Sequence, residues 1–110
     1  MNKYIYLDFE FNQANEALVN TVCVSFLNPQ TNEIESYWLY KDNMRKKQVR
    51  AVFKKFNDLG YTFVSFAVTA EARAFIDIGL DPTKFKWIDL YVEWRQLRNC
   101  YDKFNYGTYF

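Results

Sequence analysis

Apolar residues recur at every second position up to about residue 40, and at every third or fourth position from Asp42 onward. The front of the chain therefore reads as strands, and the remainder as helices alternating with short strands. The first strand spans 3–11, and a polar loop over 12–16 leads to a second strand over 17–27, in which Val22, Val24 and Phe26 alternate with Thr21, Cys23 and Ser25. Asn28-Pro29 opens a turn, and 34–40 forms a third strand, completing an antiparallel meander. Asp42 can cap a helix that Gly60 ends, with Val49, Val52, Phe53 and Phe56 on one apolar stripe. A strand over 61–66 follows. Thr69 is the expected cap of a helix over 70–78 that Gly79 ends, 86–88 is a brief strand, and Asp89 opens a last helix to about residue 99. The order β-β-β-α-β-α-β-α implies an α/β domain: a mixed sheet with right-handed crossovers and helices covering it.

At 110 residues the chain is long enough for one domain with a real core, and half of its residues are hydrophobic, which excludes disorder. A net charge of +1 supplies no global attraction to nucleic acid. There is no histidine, so His-based triads, HExxH zinc sites and a histidine general base are excluded. Cys23 and Cys100 lack CxxC spacing and read as two buried free thiols of a reducing compartment. Neither a signal peptide nor a membrane-spanning stretch is visible, so a cytoplasmic protein without membrane contact is expected.

The first strand carries Asp8 and Glu10 on one face, behind Tyr4 and Tyr6, while Ile5, Leu7, Phe9 and Phe11 take the other. A solvated outer face is the ordinary reading of such alternation. The strand is apolar enough to be central, however, and paired carboxylates on a central strand make sense around a divalent cation. The helix after Asp42 bears Arg45, Lys46, Lys47, Arg50, Lys54 and Lys55. That cluster reads as the wet side of an amphipathic helix rather than as a phosphate-binding surface.

The element order with Asp-x-Glu on strand one resembles the DnaQ-like (DEDD) 3′–5′ exonucleases of the ribonuclease H-like fold; Tyr-Ile-Tyr-Leu-Asp8-Phe-Glu10-Phe-Asn fits their first motif. Their second motif lies where a strand passes into a helix, and here Glu71 stands at the place of its Asp, without the preceding Asn and aromatic. Glu71 is otherwise an ordinary first-turn carboxylate favoured by the helix dipole. The stretch from Gly79 to Arg95, through Trp87-Ile88-Asp89, resembles proofreading domains of A-family DNA polymerases, particularly phage ones; Asp89 there is either a helix cap or a further metal ligand.

The third motif of that family, Tyr-x3-Asp or His-x5-Asp on a later helix, is absent from these residues; the spacing Tyr4 to Asp8 falls on the first strand instead. The resemblance thus implies an N-terminal exonuclease-like fragment, truncated before the last helix, with a polymerase domain as a possible C-terminal neighbour. It further implies two Mg²⁺ or Mn²⁺ ions held by Asp8, Glu10 and Glu71, and hydrolysis of the terminal phosphodiester at a single-stranded DNA 3′ end. Phe11, otherwise a core residue, and Asn12 are then expected to touch the terminal nucleotide. The competing expectation is a catalytically inactive nucleic-acid-binding or protein-interaction module of the same fold.

Overall fold

The structure, a computed structural model, describes residues 3–13 and 19–106, with side chains for 3–12 and 20–98. Strand β1 (Tyr4–Gln13) is followed by β2 (Val19–Asn28) and β3 (Glu33–Trp38). Helix α1 (Asn43–Asp58), β4 (Thr62–Ser65) and α2 (Val68–Ile78) come next. A single 3₁₀ turn, Pro82–Lys84, then leads into β5 (Lys86–Asp89) and α3 (Leu90–Tyr106). The sheet order is β3-β2-β1-β4-β5. β1 pairs antiparallel with β2 and parallel with β4, and β5 extends the parallel side. The opening strand is therefore central, as its apolar content implies. The expected start of β2 at residue 17 and the side chain of Cys100 lie outside the described residues; Cys23 is free and half-buried rather than buried.

One sheet face carries the core. Ile5, Leu7 and Phe9 of β1, Val24 and Phe26 of β2 and Phe63 of β4 are buried against Val49, Phe53 and Phe56 of α1 and Ala74, Phe75 and Ile78 of α2. Phe53 is the hub, with edge-on contacts to Phe9, Phe26 and Phe63 and a stacked contact with Phe75. A ring buried this way stabilises the fold by roughly 2–3 kcal/mol through its area alone. The opposite face is open over β1 to β3, where Tyr6, Ile34 and Trp38 are 48%, 75% and 58% exposed, whereas Val64 of β4 is buried on it. Helices α1 and α2 thus cover the sheet on its core face, and the helix cover expected from the sequence is present on that side.

Two local readings change. A β-bulge places Glu10 opposite Cys23 but Phe11 opposite Thr21, leaving Val22 as the extra residue. The alternation of β2 is broken there, so Thr21 rather than Val22 is fully buried, and its amide and hydroxyl both donate to Asp77 of α2. Thr69 is not the cap of α2. That position is Ala67, in the left-handed region with φ 71°, and its side chain supplies no cap. Asp42 caps α1 as expected, accepting from the Arg45 amide at 2.9 Å.

Candidate functional site

Strand β1 outruns its parallel neighbour. Its ladder to β4 covers only Tyr4, Tyr6 and the residue between them, and β4 ends at Ser65 while β1 continues to Gln13. The β4 side of β1 is left open at its C-terminal half, where Asp8 and Glu10 lie. Helix α2, launched from the end of β4, packs across β1 and β2. Its first turn brings Glu71 to the Phe9 backbone, with which it hydrogen-bonds.

The three carboxylates differ in setting. Asp8 and Glu10 are exposed on the sheet face away from the core, with Asp8 opposite Ser25 and Glu10 opposite Cys23. Glu71 is buried, only 3% exposed, and its Oε2 has no hydrogen-bond partner. Burial, then the charge of Asp8 and to a lesser degree that of Glu10, push its pKa up to about 8, against the Phe9 hydrogen bond, which lowers it. An orphaned carboxylate oxygen held near two other acids is costly for the fold. All three donors are hard oxygen ligands of the kind that Mg²⁺ and Mn²⁺ take. In donor type and charge the residues therefore fit a divalent cation. As the side chains stand, no group of three or more His, Cys, Asp or Glu among the described residues is gathered closely enough to hold one.

Asp89 is a double helix cap. Its carboxylate accepts from Ala67 and Val68 at the start of α2, at 3.1 and 3.0 Å, and from Tyr91 and Val92 at the start of α3, at 2.9 and 3.4 Å. Burial opposes ionisation, but the four amide donors outweigh it and hold the pKa below the ordinary carboxylate range. Asp89 thus acts as a cap through both oxygens, Oδ1 accepting three of these bonds and Oδ2 one, the first of the two roles the sequence offered it. Phe11 is half-buried and packs against the core, the ordinary reading of such a residue, while Asn12 is exposed just past the acids.

The neighbouring surface is mixed. An open trough of about 280 Å³ runs beside Asp8, lined by Tyr6, Ser25 and Ile34 among others. A larger cleft of about 380 Å³ lies elsewhere, between the basic start of α1 and the end of α2. There Lys46 pairs with Asp77 at 3.3 Å and Arg50 donates to the Ile78 carbonyl at 2.9 Å, so two of the basic residues of α1 hold helices together.

No protein-family model matches the chain, and no curated protein matches it. Among solved structures it is similar to the EXO domain of Nibbler from Aedes aegypti, with a TM-score of 0.57 at 13% identity, over 88% of this chain and 47% of that one. The chain thus spans about half the length of the structure it matches. It has a ribonuclease H-like α/β fold, with a mixed five-stranded sheet. No helix of the described residues is long and apolar enough to cross a membrane.

Proposed function

We propose that the chain is the core of a metal-dependent 3′–5′ exonuclease that hydrolyses the terminal phosphodiester of single-stranded DNA. The observation that carries this reading is Glu71: a buried carboxylate with one oxygen left without a hydrogen-bond partner, its pKa raised to about 8, set near Asp8 and Glu10 at the open edge of the central strand. Likeness of fold to an EXO domain supports the reaction class. Bound Mg²⁺ or Mn²⁺ ions, two in the family resembled, would activate the attacking water and stabilise the departing 3′ oxygen. Asp8 and Glu10 supply exposed oxygens to hold them. A bound cation would offset the burial and the Asp8 and Glu10 charges that disfavour ionised Glu71, so that Glu71 would release its proton to solvent and serve as a ligand, while its hydrogen bond to the Phe9 backbone holds it in place. Asn12 is available to the terminal nucleotide, and the trough beside Asp8 has room for a base. A proofreading role beside a polymerase domain, and a cytoplasmic location, rest on the sequence resemblance and composition.

A second reading, a binding module that kept the fold and lost the chemistry, is favoured by the absence of a gathered ligand group among the described residues. Two measurements separate them. Calorimetric titration with Mn²⁺ should release heat for the wild type and much less for Asp8→Ala. A 5′-labelled single strand should be shortened from its 3′ end in Mn²⁺ by the wild type and not by Asp8→Ala. Equal trimming by both proteins refutes the nuclease reading; no Mn²⁺ heat together with DNA binding in EDTA establishes the module.

A further inference from the structure

The chain is rich in aromatic residues, and the fold buries some of them and leaves others at the surface, Tyr6 and Trp38 among them. The rings around Phe53 are core. A second set is exposed and ordered among itself: Phe66 is 59%, Tyr91 39% and Trp94 49% exposed. Phe66 meets Tyr91 edge-on at 5.4 Å, and Tyr91 stacks on Trp94 at 6.3 Å with an interplanar angle of 27°. Arg95 lies over the Tyr91 ring at 5.7 Å and Arg98 over the Trp94 ring at 5.6 Å. Tyr91, Trp94, Arg95 and Arg98 follow i, i+3, i+4, i+7 and therefore share one face of α3. Glu93 falls on the opposite side of the helix, and the aliphatic residues Leu90 and Leu97 flank the stripe rather than fill it.

We propose that this stripe is a stacking track for single-stranded nucleic acid, with Phe66 as its end nearest the carboxylates. The inference rests on the nuclease or binding-module reading above and supplies its substrate-holding surface. Every member of the stripe is a planar π group, and two are cations. Flat rings stack on unpaired bases of any sequence, and guanidinium groups stack on rings while pairing with phosphates. Location supports the same occupant. Phe66 immediately precedes Ala67, and the amides of Ala67 and Val68 share the Asp89 carboxylate with those of Tyr91 and Val92. The track therefore starts at the junction that also sets Glu71.

The test is fluorescence anisotropy of labelled oligo(dT), roughly 20 nucleotides long, titrated with the protein in EDTA so that no metal contributes. Trp94→Ala should weaken binding about tenfold or more, Tyr91→Ala similarly, and Trp94→Phe should retain most of it. Arg95→Gln should make the salt dependence shallower by about 0.7 in the log–log slope, the loss of one phosphate contact. Oligo(U) in a parallel titration shows whether the track takes RNA equally. Binding by Trp94→Ala and Tyr91→Ala within about twofold of wild type overturns the proposal, as does duplex DNA bound as tightly as the single strand. A wild-type dimer that Trp94→Ala dissolves, with no oligonucleotide bound, assigns the stripe to a second copy of the chain and also overturns it. Because the assay is metal-free, failure of the Asp8→Ala nuclease test leaves its result intact, and the converse holds.

Discussion

Replacing Glu71 with glutamine should stabilise the metal-free protein, and the gain should depend on pH in a defined direction. In the folded chain burial and the Asp8 and Glu10 charges raise the Glu71 pKa from 4.5 to about 8. Between those values the folded state holds a proton that the unfolded state has released, so stability falls as pH rises through this window. Below it the penalty is absent; near its top it is almost fully present. At about 1.4 kcal/mol per pH unit the ceiling is on the order of 5 kcal/mol, and solvent relaxation around the group brings the expected effect nearer 2–3. Glutamine cannot ionise, can keep the hydrogen bond to Phe9, and can turn its amide toward Asp8. Urea unfolding in EDTA, followed by fluorescence at several pH values from about 5 to 8, should give nearly equal stabilities at the acid end and a widening advantage for Glu71→Gln toward pH 8. Saturating Mn²⁺ should reverse the order by stabilising the wild type far more. Parallel pH profiles for the two proteins across the window would refute the assignment of Glu71 as an ionisation-frustrated ligand.

Two further outcomes follow from the packing. Phe53→Ala removes the ring that touches Phe9, Phe26, Phe63 and Phe75 and should cost about 3–5 kcal/mol in urea unfolding; a loss below about 1.5 would mean that the core is not organised around it. Asp89→Ala orphans amides at the start of two helices and should cost about 2–4 kcal/mol. Because the Asp89 pKa is lowered, its contribution is present above the ordinary carboxylate range and is lost as pH falls below it, so the variant should also show a shallower acid-unfolding limb; an unchanged limb would contradict the capping role.

Where local chemistry decides, the sequence was a good guide. Alternation alone separated Ile5, Leu7 and Phe9 from Tyr6, Asp8 and Glu10, because a buried face penalises any other register. Asp42 was legible as a cap because its partner amide is three residues away. Thr69 misled for the opposite reason: the amides at the start of α2 are satisfied by Asp89, which no reading of residues 67–71 can reveal. The bulge at Val22 was equally hidden, since it exists only in the pairing of two strands and reverses the expected positions of Val22 and Thr21. Asp8 and Glu10 could be chosen from spacing. The burial of Glu71, which gives the pair its chemical meaning, comes from the way α2 crosses an edge that β4 leaves unfilled.

The shared cap has a mechanical corollary. Residues 91–98 of α3 are all exposed, and the start of the helix is held by the Asp89 carboxylate and the Phe66–Tyr91 contact. That carboxylate also seats the turn bearing Glu71. A load that tilts the helical arm must therefore stretch the same few bonds that aim an acid at the strand, which makes Asp89 the pivot of a lever.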